Sequence, residues 1–158
     1  MHKKIISKIP YLILALVIIF IDQYTKVYFI ELFTQDVNQG IKVLPILNFV
    51  YAWNQGISFG MFDGFNYSNI IFTCLSIIIT FVIMIMMFKN DSTIYSISYS
   101  LIIGGAVGNI IDRLNYSAVF DFIDFHIGHY HWPAFNIADS SVCIGALLFV
   151  VASFKLKN

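Results

Sequence analysis

NIIFTCLSIIITFVIMIMMF, residues 69–88, sets the class of this protein. The run is about as long as the ~20 apolar residues that cross a bilayer as a helix. It carries almost no polar side-chain atoms. On either side of it, three more runs of similar length follow the same rule: 9–32, 94–111 and 136–154. Each of these three has polar residues toward one end. The chain of 158 residues is 59% hydrophobic and only 11% charged, where a soluble domain carries roughly a quarter charged residues. Its mean hydropathy is +0.81. These values specify an integral membrane protein with four transmembrane helices, expected as a single domain over 1–158.

Lys3, Lys4 and Lys8 precede the first run, a pattern shared with secretory signals. No small-residue cleavage site follows; Asp22-Gln23 and more apolar sequence do. The expectation is a retained first helix. Lys89 follows the second run, and Lys155 and Lys157 follow the fourth. With four spans these basic clusters share one face, which the positive-inside rule makes cytoplasmic. The opposite face then receives loops 33–68 and 115–135, together with Asp22, Lys26, Asp112, Arg113, Asp121 and Asp139. Polar helix ends therefore gather in one outer layer. The net charge of zero and the scattered basic residues give no nucleic-acid footprint. Cys74 and Cys143 lie within apolar runs and are expected as buried thiols.

The first outer loop is rich in strand formers over 43–53, with Pro45 near the start of that stretch. Asn54-Gln55-Gly56 reads as a turn, and 57–62 alternates large and small residues. A small sheet or hairpin on the outer surface is expected there, with Tyr51 and Trp53 suited to the interface. The second outer loop, with Gly128 and Pro133, is expected to be irregular.

Carboxylates beside a bilayer are costly and ask for a reason. Asp22 and Lys26 lie four apart on the first helix, so they face the same way. Two roles are open to them: an intrahelical pair with Lys26 snorkelling to the interface, or a part in the polar layer. Gly104 and Gly108 have the small-xxx-small spacing of close helix packing. Asn109, Asp112 and Arg113 then make one helix face polar. Asp112 and Arg113 are expected as a structural charge pair, though the Arg113 fork also suits a carbonyl, phosphate or carboxylate. Asp139 follows Asn136 by three, the spacing of an N-cap and an acidic third residue. Asp121 has no evident partner nearby in sequence. Two carboxylates in a poorly hydrated site cannot both ionise easily, so one keeps a proton and the pair can activate water. Asp124, a third candidate, is expected as a solvated or capping residue. His126, His129 and His131 beside these aspartates are zinc-ligand types. They lack a helical H-E-x-x-H pattern, and hydrogen-bonding residues of a solvated loop are the expectation. A transporter would place its acids nearer the midplane and in two repeated halves; a purely structural subunit would not need so many polar groups in one layer.

Five blocks, taken in order, resemble the bacterial lipoprotein signal peptidase (signal peptidase II) family. They are Asp22-Gln23-Tyr24-Thr25-Lys26, Asn54-Gln55-Gly56-Ile57-Ser58-Phe59-Gly60, Gly104 through Arg113, Val119-Phe120-Asp121-Phe122-Ile123-Asp124, and Phe135-Asn136-Ile137-Ala138-Asp139-Ser140. The resemblance implies an all-α membrane fold with a small extracytoplasmic β half-sheet. It implies an intramembrane aspartyl endopeptidase that cuts signal peptides from diacylglyceryl-modified prolipoproteins, without a metal or other cofactor, and that is sensitive to globomycin. By motif position Asp121 and Asp139 match the catalytic pair. Asn54, Gly56, Asn109, Arg113 and Asn136 match substrate-site positions, and Asp22 matches a position needed for activity or folding. The partners so implied are prolipoproteins and membrane lipids, with the enzyme acting as a monomer in the bacterial cytoplasmic membrane. Loop 125–132, with its histidines, stands outside the resemblance.

Overall fold

A computed structural model of the chain describes residues 6–35, 40–56 and 68–155. Among the described residues are four helices long and apolar enough to cross a membrane: α1 (Ile9–Gln35), α2 (Ser68–Lys89), α3 (Thr93–Tyr116) and α4 (Ile137–Lys155). The expected runs are all helical, but α1 and α3 continue past their predicted ends at 32 and 111. In α3 Asp112, which looks like a helix boundary in the sequence, is buried and paired with Lys26, whereas Thr34 and Gln35 at the end of α1 are exposed.

The bundle is apolar outside and small or polar inside. Leu16, Phe20, Ile78, Phe81, Leu147 and Phe154 are exposed, whereas Ser96, Ser98, Ser100 and Asn136 are wholly buried. Lipid tails are as apolar as leucine, so close packing and hydrogen bonds rather than hydrophobicity select what faces inward. The buried hydroxyls are spent on their own helices: Ser98 Oγ donates to Ile94 O (2.8 Å) and Ser100 Oγ to Ser96 O (2.7 Å). The same inversion corrects the expectation for the cysteines, because Cys74 and Cys143 both lie on the exposed side of their helices.

α3 packs against all three other helices, and its glycines are the reason it can. A Cβ at Gly104 would lie 2.9 Å from Ala15 O of α1, and one at Gly105 would strike Ala138 O of α4. At the opposite end from the polar layer, Lys8 is buried and donates to Asn90 O and to Ser96 Oγ (3.0 Å). That contact brings the start of α1, the end of α2 and the start of α3 together.

At the polar end of the bundle the described residues form a four-stranded antiparallel sheet in the order β1-β2-β3-β4. β1 (Gly40–Leu44) and β2 (Leu47–Asn54) form a hairpin, but it turns at Pro45-Ile46, inside the stretch expected as strand, and not at Asn54-Gln55-Gly56. Gly56 N–H donates to Asn54 Oδ1 (3.1 Å), closing the expected turn. The alternating stretch 57–62 lies outside the described residues.

The second outer loop is not irregular. β3 (Val119–Ile127) is a nine-residue strand paired with β2, and β4 (Tyr130–His131) returns along it through Gly128 at φ +61°. Val-Phe-Asp-Phe-Ile-Asp shows no polar–apolar alternation because the first part of β3 is buried on both faces. Phe120 and Phe122 enter an aromatic cluster with Phe33 of α1, and Phe29 lies 4.5 Å, centroid to centroid, from both Phe49 and Phe122. The cluster seats the sheet on the end of α1. At 119–124, β3 is pinned further: Phe120 N–H donates to Asp112 Oδ2 (3.1 Å), and Phe135 exchanges backbone hydrogen bonds with Ile123 (2.9 and 3.0 Å). Phe135 is thereby held beside the strand, immediately upstream of the residue that caps α4.

Candidate active site

α4 starts with a reciprocal cap. Asn136 Oδ1 accepts the Asp139 N–H (2.9 Å), and Asp139 Oδ2 accepts the Asn136 N–H (3.3 Å). This is the arrangement expected from the three-residue spacing. The cap leaves Asn136 Nδ2 free to reach β3, where it donates to Asp121 Oδ1 at 2.7 Å. One wholly buried asparagine therefore bridges the two carboxylates, its backbone N–H on Asp139 and its side-chain amide on Asp121. Asn54, at the end of β2, donates to the other Asp121 oxygen (3.1 Å). Asn109 of α3 donates to Asp139 Oδ1 (2.7 Å).

The carboxylates differ in surroundings. Asp121 is 2% exposed. Burial, with the Asp139 charge second, pushes its pKa up to about 7, against the weaker opposing effects of Asn54, Lys26 and Asn136. Asp139 is partly exposed and sits in the first turn of α4, where N–H groups and the helix dipole favour negative charge.

Two clefts meet at this point. The larger, about 710 Å³, runs between α2, α3 and α4 and is walled by Trp132, Pro133, Ala134 and Phe135 on one side. Ile79, Ile102, Val142 and Ile144 make its depth apolar. The smaller, about 210 Å³, reaches Asn54, Gly56 and Val119. Asn109, Arg113 and Asp139 border both. Asp121 borders neither; it lies two residues along β3 from Val119 and accepts from Asn54, and both of these residues line the smaller cleft.

The remaining candidates fall into place around this pair. Asp22 is not at a cleft. It is fully buried, and its Oδ1 accepts the Ala138 N–H (2.9 Å), docking α1 against the start of α4. Lys26 does not snorkel: at 2% exposure it lies 2.8 Å from both Asp22 and Asp112. Asp112 therefore pairs with Lys26 and not with Arg113. Neighbours in sequence on a helix diverge, and only residues three or four apart face each other. Nothing in the local sequence marks Gln23 for a role, yet it donates to Asp112 Oδ1 (2.9 Å) and Gly108 O (3.1 Å).

Asp124 is neither solvated nor a cap. It is 6% exposed and accepts hydrogen bonds from Asn48 Nδ2 (2.9 Å) and from His131 Nδ1 (2.9 Å). Burial raises its pKa, but His131 and Asn48 together outweigh that and hold it below the usual carboxylate value. Three residues apart on a strand, Asp121 and Asp124 project to opposite faces. His126 stacks on His131 at 4.9 Å, so these two histidines brace the β3–β4 hairpin.

Relatives carry the same architecture. The sequence model of the Signal peptidase (SPase) II family matches residues 14–155. The lipoprotein signal peptidase of Anaplasma phagocytophilum is 37% identical over 158 residues, covering 100% of this chain and 97% of that protein. The lipoprotein signal peptidase of Thermodesulfovibrio yellowstonii is 46% identical over 143 residues, 87% of this chain and 90% of its own length. A bacterial membrane enzyme solved by the in meso method at 1.9 Å resolution superposes with a TM-score of 0.79 at 32% identity, over 92% of this chain and 93% of that one. A second, at 2.3 Å, gives 0.78 at 33% identity, over 92% and 88%. Taken with four spans and carboxylates joined at one end of the bundle, the match over nearly the whole chain places this multi-pass bacterial membrane peptidase in the signal peptidase II family.

Proposed function

We propose that the protein is an aspartic endopeptidase that removes signal peptides from diacylglyceryl-modified prolipoproteins, with Asp121 and Asp139 as its catalytic pair. The observation that carries this is Asn136, whose two N–H groups hold one carboxylate each. Support for the substrate comes from the relatives named lipoprotein signal peptidase and from the apolar depth of the larger cleft, which suits acyl chains entering from the bilayer.

The two environments divide the chemistry. Asp121, with its raised pKa, keeps a proton up to about neutral pH. Asp139 carries the negative charge, stabilised by Asn109 and the start of α4. Asp139 acts as general base on a water in the cleft, which attacks the scissile carbonyl. Asp121 keeps its proton while hydrogen-bonding the developing oxyanion and passes it to the leaving amine as the C–N bond breaks; the proton Asp139 took from water leaves the pair holding one proton again. Arg113 and Asn109 on the cleft walls, with Asn54 and Gly56 at the smaller cleft, position the peptide. Lys8, Lys89 and Lys155 lie at the far end of the bundle. By the positive-inside rule that end and both termini are cytoplasmic, and the active site opens at the outer face among membrane lipids. The whole site is built within one chain, and the enzyme acts as a monomer.

The test is in vitro processing of a diacylglyceryl-modified and an unmodified prolipoprotein, with and without globomycin. Cleavage of the modified form alone, blocked by globomycin and lost in Asp121→Asn and Asp139→Asn, is expected. Cleavage retained by purified Asp139→Asn protein sinks the aspartic assignment.

A further inference from the structure

We propose that Lys26 is a positioning residue for the carboxylate pair: its ammonium fixes the orientation of the Asn109 amide, so that Asn109 Nδ2 faces Asp139. The inference rests on the aspartic reading above and extends it to a buried charge that borders neither cleft.

Asn109 presents one oxygen and one NH₂ group of nearly equal size. Its Oδ1 accepts from Lys26 Nζ (3.0 Å) and from Asn136 Nδ2 (3.2 Å), while its Nδ2 donates to Asp139 Oδ1 (2.7 Å). Turned over, the amide would aim its NH₂ at the ammonium and its lone pairs at the carboxylate. Both contacts would be repulsive in a site with little water to screen them. Lys26 is therefore what makes one orientation decisive. The ion pair to Asp112 (2.8 Å) already ties α1 to α3, and the one to Asp22 (2.8 Å) lies within α1. The third contact, to Asn109, is surplus to that role and points at the catalytic pair.

The charged groups around Asn109 are Asp22 and Lys26 on α1, Asp112 and Arg113 on α3, Asp121 on β3 and Asp139 on α4. Lys26→Met leaves Asp22 and Asp112 without their cation and endangers folding. Asp22→Asn/Lys26→Met keeps the summed charge of the trio unchanged while removing, together with the Asp22 carboxylate, the cation that orients the amide. The asparagine introduced at position 22 still offers an oxygen to the Ala138 N–H. Each variant is purified in detergent, its melting temperature is measured, and kcat and KM on a diacylated prolipoprotein are determined.

The folded double variant is expected to lose about tenfold or more in kcat, as the loss of one charge-assisted hydrogen bond does. KM should stay within about twofold, since Lys26 does not border the cleft. A normal kcat, a KM that rises as much as kcat falls, or failure of both variants to fold overturns the proposal and leaves Lys26 a structural residue. The underlying aspartic reading fails separately: wild-type enzyme would then not cleave the diacylated substrate, or Asp139→Asn would.

Discussion

Replacing Asp121 with asparagine should stabilise the protein above about pH 5, by an amount that grows with pH up to about 7. The folded-state pKa of Asp121 is raised from 3.8 to about 7. Between those values the folded chain holds a proton that the unfolded chain releases, so stability falls as pH rises through that window. The shift costs less than about 1 kcal/mol at pH 4, about 2 at pH 5 and about 4 above pH 7. An asparagine side chain does not ionise and escapes this cost. It does face two amide donors, Asn54 Nδ2 and Asn136 Nδ2, and so mismatches one of them. The mismatch is independent of pH and offsets the gain by about 1 kcal/mol. The quantity to measure is therefore the change with pH. Chemical denaturation in detergent micelles should show the Asp121→Asn variant gaining about 2–3 kcal/mol over wild type between pH 5 and pH 8. Cleavage should be abolished throughout. A stability difference that is flat with pH, or that shrinks as pH rises, would contradict the claim that burial keeps Asp121 protonated.

Other substitutions test the frame around the pair. Asn136→Ala removes the cap and the bridge together; it should cost about 1 kcal/mol or more in stability and about a hundredfold or more in kcat, read by unfolding and steady-state kinetics. Gly105→Ala forces a methyl group into Ala138 O and Val142 Cγ2 of α4. It should destabilise by about 1–3 kcal/mol in a thermal melt, since backbone cannot move aside as a side chain would. Arg113→Lys keeps the charge but loses the planar fork at the junction of the clefts, and should raise KM about tenfold if the fork holds the substrate peptide. His131→Ala removes a partner of Asp124, on the face of β3 away from Asp121. Cleavage should stay within about threefold of wild type, because a loosened hairpin leaves the Asn136 bridge intact.

Much of the site is legible in the sequence because its chemistry is local. The Asn136–Asp139 cap follows from a spacing of three on one helix start, and the structure contains it. The small-xxx-small step at Gly104 and Gly108 likewise predicts close packing, and a Cβ at Gly108 would lie 2.6 Å from Asp22 Oδ2. β3 is not legible. A strand buried on both faces loses the alternation that marks a strand, and the partner that makes it one, β2, lies far upstream. The same distance hides the true partners of Asp112 and Asp124. Adjacent charges in sequence suggest Asp112 with Arg113, but helix geometry sends Asp112 toward Lys26 on another helix.

The solvent of this protein, its four spans and the layer where its charge collects are all written in the linear chain. Each depends on transfer free energies summed over consecutive residues, which need no knowledge of neighbours in space. Which carboxylates meet is settled by folding alone. Asp121 comes from a strand and Asp139 from a helix, and they are joined because Phe135 pairs with β3 immediately before Asn136 caps α4. Hydrogen bonds are short and directional, so a pairing made across folded elements is set by where those elements pack and leaves little trace in local sequence.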